Sequence, residues 1–152
     1  MNCYEFGAND AISEINGCGW HDWHFDGINA DYEKAVVKIS YHDDFYYNLD
    51  GSKNENYGVT NIAIHCINYI GAAYIGRWDE SVIESIKIDS KGDLMENTLL
   101  EIKRMYDKTA LPVNRYNSLG RNWHQLNLEL IDGNIIKIVC ECFVMKMSFS
   151  SY

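Results

Sequence analysis

Proline is nearly missing from this chain, with Pro112 the only one in 152 residues, and no Pro-, Gly- or Ser-rich stretch interrupts it. Without a linker, a repeat or a low-complexity tract, the sequence predicts one domain over 1–152, long enough to bury roughly 68–70% of the surface its unfolded form exposes. No apolar run approaches the ~20 residues of a bilayer-spanning helix. The opening Met1-Asn2-Cys3-Tyr4-Glu5-Phe6-Gly7 carries an acid and no basic segment, so neither a membrane span nor a secretory leader is expected. Cys3, Cys18, Cys66, Cys140 and Cys142 are odd in number and contain no C-x-x-C pair. Reduced thiols and a cytoplasmic setting are the expectation.

Basic residues are scarce as well. Thirteen Lys+Arg stand against 22 Asp+Glu, a formal net charge of −9, with a pI near 4.9. That field repels nucleic-acid phosphate and anionic lipid, which argues against nucleic-acid and membrane partners and suits a partner protein that is itself basic. The glycine-rich phosphate loops G-x-x-x-x-G-K-[ST] and G-x-G-x-x-G are absent, which disfavours nucleotide chemistry, and so is the G-x-S-x-G elbow that presents a nucleophilic serine. No cofactor is expected.

What the chain does contain is strand pattern. Residues 20–31 and 34–42 read as a hairpin turning at Asp31-Tyr32-Glu33, with Val37, Ile39 and Tyr41 alternating against Val36, Lys38, Ser40 and His42. Residues 59–75 alternate Ile62, Ile64 and Cys66 with Ala63, His65 and Ile67, which predicts a strand covered on both faces, bent or restarted at Gly71. A shorter strand is predicted over 82–88. One helix, about 94–107, follows from a capping box at Asp93 and Glu96 ahead of the stripe Met95, Leu99, Ile102, Tyr106. The fold class is therefore α+β, mainly antiparallel sheet with that one helix packed on it.

At the C-terminal end, Asp132-Gly133-Asn134 separates runs 123–131 and 135–147. A three-residue loop there pairs Leu130 with Ile136, Leu128 with Ile138, Leu126 with Cys140 and His124 with Cys142, and sets Glu129 across from Lys137. The even-numbered face becomes core.

Four groups of residues could carry function. Trp20, His21 and Asp22 read as a structural motif, with the imidazole on an apolar face bonded to a backbone carbonyl. Asp22, His24 and Asp26 fall on one face of a strand and offer an alternative as metal ligands, although along one straight strand they spread over about 13 Å. His124, Cys140 and Cys142, brought to one face by the predicted hairpin, offer a second metal set or an activated thiol, against a reading of the cysteines as small buried hydrophobes. The turn-rich acidic loop 43–58, with Asp43, Asp44, Tyr46, Tyr47 and Asp50, is the candidate binding surface, since aromatic residues dominate interface hot spots. The remaining tyrosines and tryptophans are expected to fill the core.

The run Ile15-Asn16-Gly17-Cys18-Gly19-Trp20-His21-Asp22, the strand VVKISYHD, the segment YGVTNIAIHCIN and the closing Ile136-Lys137-Ile138-Val139-Cys140 together resemble small bacterial proteins of unknown function that share a Trp-His-Asp opening. Some proteins of that look resemble immunity proteins that accompany polymorphic toxins. The resemblance implies a small β-rich, non-enzymatic binder whose partner is a toxin. Trp23 departs from the small polar residue expected after the Trp-His-Asp motif.

Overall fold

Strands with one apolar face must bury that face, and here two sets of them do so against each other. The structure, a computed structural model, describes residues 3–42, 49–53, 58–76, 81–108 and 122–151. In chain order its elements are β1 (Cys3–Gly7), α1 (Ala8–Gly17), β2 (His24–Ala30), β3 (Lys34–His42), β4 (Gly58–Ile67), β5 (Gly71–Ile75), β6 (Ile83–Asp89), α2 (Asp93–Lys108), β7 (His124–Leu130), β8 (Ile135–Cys140) and β9 (Cys142–Ser151). The strands make two sheets, ordered β1-β9-β4-β3-β2 and β5-β8-β7-β6. Every pairing within them is antiparallel.

The core lies between the sheets. Val37, Ile39, Ile64 and Phe143 from the first meet Ile83, Leu126, Leu128, Leu130, Ile136 and Ile138 from the second, all at most 1% exposed. Each such large apolar side chain contributes roughly 1.5–3 kcal/mol relative to exposure. The other face of the second sheet is covered by α2, where Met95, Leu94 and Leu99 pack with Trp123, Val139 and Ile70. The result is helix on sheet on sheet, an α+β architecture dominated by antiparallel strands.

Two helices are present among the described residues where one was expected. α1 carries only Ala11, Ile12 and Ile15 as an apolar stripe and starts at Gly7 with no side-chain cap, so its periodicity is too short to stand out. Tertiary contacts hold it instead. Ala11 and Ile15 are fully buried. The Asn16 amide accepts from Ile88 N–H (2.8 Å) and donates to Ile88 C=O (3.0 Å), occupying the backbone of edge strand β6. The Trp20 indole donates to Ile15 C=O (2.8 Å), satisfying a carbonyl at the helix end.

α2 starts at Asp93, and its cap comes from the sheet rather than from a capping box. Buried Gln125 accepts from Met95 N–H (3.0 Å) and donates to Asp93 Oδ1 (3.0 Å) and Asn127 Oδ1 (2.8 Å). Gly92 makes room for it, since a Cβ there would stand 2.1 Å from Gln125 Oε1. Lys137 donates to Asp93 Oδ2 (2.5 Å). Its ammonium, then the Gln125 amide and the Leu94 N–H, hold the Asp93 carboxyl well below the usual carboxylate range.

The C-terminal register differs from expectation. Leu128 faces Ile136, Leu126 faces Ile138, His124 faces Cys140, and Glu129 faces Ile135 rather than Lys137. The loop is Ile131-Asp132-Gly133, closed by Leu130 N–H on Asn134 C=O (2.8 Å) and Gly133 N–H on Leu130 C=O (3.0 Å), with Gly133 left-handed at φ 89°. Asn134 belongs to the hairpin stem because Asp132 accepts from its backbone (3.1 Å) and its side chain (2.9 Å). The even-numbered face is core, as its pattern requires. The run 135–147 is two strands in different sheets, broken at Glu141, and 20–31 begins its strand only at His24. β4 is dry on the Ile62, Ile64, Cys66 face and half-buried to exposed on the other, where neither helix packs.

Candidate functional site

Residues 20–23 form a turn, with Trp23 N–H donating to Trp20 C=O (3.1 Å) and Asp22 left-handed at φ 73°. His21 is exposed, not set on an apolar face, and lies 3.4 Å from Asp22 and 3.2 Å from Glu84. The turn breaks the alternation that would align Asp22, His24 and Asp26, and Asp26 sits at a bulge between Phe25 and Gly27. His24 stacks edge-on against His42, ring centroids 6.0 Å apart, while Ser40 Oγ lies 3.4 Å from His42 Nε2.

The second set is also dispersed. His124 faces Cys140 in the second sheet, whereas Cys142 belongs to the first, across from Ile67. The Cys140 thiol donates to Cys142 C=O (3.5 Å), and burial, with Cys66 beside it, pushes that thiol far above its ordinary value. Cys140 is thus a buried thiol, not an activated nucleophile. Among the described residues, no three His, Cys, Asp or Glu side chains are grouped to hold a metal ion. Asp43, Asp44, Tyr46 and Tyr47 lie outside the described residues. Asp50 is exposed and accepts from Ser52 N–H (2.9 Å) and Ser52 Oγ (2.6 Å), a local turn.

A different place gathers aromatic and acidic groups. A cleft of about 690 Å³ opens between α2 and the β4–β5 connection, lined by Tyr32, Asn68, Tyr69, Ile70, Asn97, Thr98, Glu101, Ile102, Met105 and Trp123. Its floor is Ile102 and Trp123, both buried, and its rim includes Tyr32, 74% exposed. Among the described residues the aromatics divide: Trp20 and Trp123 are buried and Tyr69 packs against the core, whereas Tyr4, Tyr32, Tyr41 and Tyr74 are exposed. The hydroxyls of those four tyrosines favour a wet edge.

The walls are fixed by hydrogen bonds. The Tyr69 hydroxyl donates to Asp31 C=O (2.7 Å), and Asn68 N–H donates to Glu33 C=O (2.8 Å), which locks the β2–β3 turn onto the β4–β5 connection. Asp31 Oδ1 accepts from Glu33 N–H (2.8 Å) and Lys34 N–H (3.0 Å), and these amides hold its carboxyl below the ordinary range. Asn68 Nδ2 donates to Glu141 Oε2 (3.3 Å). Gly71 lets α2 approach, since a Cβ there would meet Thr98 Oγ1 at 2.8 Å. Glu101 is the acid in the lining, Glu141 lies one hydrogen bond behind Asn68, and Asp31 and Glu33 meet Tyr69 and Asn68 through their backbone carbonyls; among the described residues no lysine or arginine lines the cleft. Arg104 reaches Glu101 from outside it (2.8 Å). Aromatic faces with a carboxylate beside them attract a cation through ring quadrupole and charge together. One signal for this site was present in the chain, a tyrosine between two acids at a hairpin tip. Nothing local links it to Trp123 or Glu101.

The chain matches no known protein family, no curated protein and no solved structure. Among the described residues no helix is long and apolar enough to cross a membrane.

Proposed function

We propose that this chain is a non-enzymatic protein-binding domain, of the immunity type, that docks on a basic partner such as a toxin. One observation carries the reading: a cleft of about 690 Å³ has aromatic walls with Glu101 among them, and among the described residues no basic side chain lines it. A lysine or arginine of the partner enters between Tyr32 and Tyr69 and displaces Arg104 from Glu101. The net charge of −9 steers the encounter and the cleft gives it an address. The hairpin tip is the anchor point, and the acidic loop 43–58 adds to the same long-range field.

The test is an amide NMR titration with a lysine- and arginine-rich ten-residue peptide. Perturbations are expected at Tyr32, Asn68, Tyr69 and Glu101, and binding weakens at least tenfold in Tyr32→Ala and in Glu101→Lys. Perturbations scattered evenly over the acidic surface, with both variants binding as the parent does, would overturn it.

A further inference from the structure

Two histidines from neighbouring strands meet on the outer face of the first sheet, opposite buried Val37 and Ile39. Register sets His24 on β2 across from Ser40 on β3, and His42 lies two residues beyond Ser40, so all three side chains rise from one face. His24 and His42 are therefore diagonal cross-strand neighbours, with backbones about 7–8 Å apart, within reach of side chains as long as an imidazole. Their ring centroids are 6.0 Å apart and the ring planes stand at 87°. Between them Ser40 is only 3% exposed, although it lies on the face turned away from the core.

Each ring has one nitrogen beside a serine hydroxyl. His24 Nδ1 lies 3.5 Å from Ser81 Oγ, and His42 Nε2 lies 3.4 Å from Ser40 Oγ. Imidazoles that ligate metals are oriented in this way, with one nitrogen on a hydrogen-bonding group and the other on the ion. With metal–nitrogen bonds of about 2.0–2.1 Å and the ring centre about 1.1 Å beyond the nitrogen, two imidazoles on one ion have centroids about 5 Å apart at a tetrahedral angle and about 6.4 Å apart when trans. The separation of 6.0 Å falls inside that span. His42 is exposed and His24 half-buried, so an ion reaches them from solvent.

We propose that His24 and His42 chelate one divalent transition-metal ion of the copper or zinc type, through His24 Nε2 and His42 Nδ1, with solvent in its remaining positions. A two-nitrogen chelate is what the described residues supply. Imidazole selects copper, nickel and zinc over magnesium and calcium, which take oxygen ligands, and the net charge of −9 draws cations to the protein. The ion ties the start of β2 to the end of β3, next to the bulge between Phe25 and Gly27 that interrupts their ladder. The same corner joins the two sheets, since Phe25 N–H donates to Ser81 C=O (2.7 Å) and His24 bridges to Val82. This site shares no residue with the cleft, so either assignment stands or falls without the other.

The experiment is a calorimetric titration of copper(II) into the full chain, run on the parent, His24→Gln, His42→Gln and His21→Gln, with amide NMR shifts induced by zinc(II) as the second readout. His21 is the control, an exposed imidazole in the 20–23 turn, beside Asp22 and Glu84. The expected result is a tightest site of one ion per chain in the parent and in His21→Gln, weakened roughly tenfold or more in either of the other variants, with zinc shifts centred on His24, Ser40 and His42. An unchanged spectrum away from the site reports an intact fold in each variant. Equal affinity in all four proteins would overturn the proposal, because copper would then be taking surface imidazoles singly. So would zinc shifts centred elsewhere, no binding at all, or magnesium producing the same shifts at equal concentration.

Discussion

Replacing Gln125 by leucine isolates the contact that seats α2 on the sheet. The side chain is 1% exposed and makes three hydrogen bonds, to Met95 N–H, Asp93 Oδ1 and Asn127 Oδ1. Leucine keeps most of the volume and deletes all three. Asp93 is exposed and recovers water, but Met95 N–H sits under a residue only 6% exposed and has no replacement acceptor. An orphaned buried donor costs about 1–3 kcal/mol, and a lost N-terminal cap falls in the same range. Counting that bond once and allowing for the apolar gain of leucine, the net loss is about 2 kcal/mol, or roughly 4–8 °C in melting temperature for a chain of this size. Circular-dichroism melting at pH 7 reads the global loss, and hydrogen exchange across α2 reads its locality. Gly92→Ala should act through the same bond, because its Cβ would stand 2.1 Å from Gln125 Oε1. The double variant should then lose less than the sum of the singles. A Gln125→Leu protein as stable as the parent, or strict additivity with Gly92→Ala, would refute this account of the cap.

Three further outcomes are expected. Because Lys137, Gln125 and the Leu94 N–H depress the folded Asp93 pKa, its stabilisation is present above about pH 4 and is lost as pH falls toward that depressed value. Asp93→Asn should therefore flatten the fall of melting temperature between about pH 5 and 2, and an unchanged profile would remove Asp93 from the explanation. Gly76→Ala should cost at least about 2 kcal/mol by urea unfolding, since φ is +124° and the new Cβ would stand 1.8 Å from Asn134 Oδ1; a neutral result would mean that β5 and the hairpin stem are not this close. His124→Phe should gain about 1 kcal/mol, because Nδ1 is buried with no partner among the described residues and the ring lies edge-on to Phe143, centroids 6.2 Å apart. A loss instead would show that Nδ1 has an acceptor or donor it needs.

Strand character was legible wherever apolar residues alternate. β3 runs over Lys34–His42 as its pattern requires, and Gly71 does begin a new strand. α2 was legible from Met95, Leu99 and Ile102, whereas α1 was not, since three apolar residues give too short a period and its anchors, Ile88 and the indole of Trp20, are distant or outside the helix. The hairpin register turned on Asp132, whose carboxylate draws Asn134 into the stem; loop length alone does not carry that information. The break at Glu141 is invisible to periodicity because residues on both sides of it are apolar and strand-forming, and it is this break that moved Cys142 away from His124. The cleft was the least legible part, as Tyr32, Tyr69, Glu101 and Trp123 come from four separate places along the chain.

The central claim, that the aromatic acidic cleft takes a cation from a partner, is tested most directly by calorimetric titration of the basic peptide into three proteins at fixed low salt: the parent, Glu101→Lys and Glu129→Lys. Both variants change net charge equally at exposed positions, but Glu129 lies on β7 outside the cleft lining. The account predicts a loss of at least tenfold in affinity for Glu101→Lys and a change of no more than about twofold for Glu129→Lys. Equal weakening by the two would mean that only the overall field binds the peptide, and the cleft would lose its assignment.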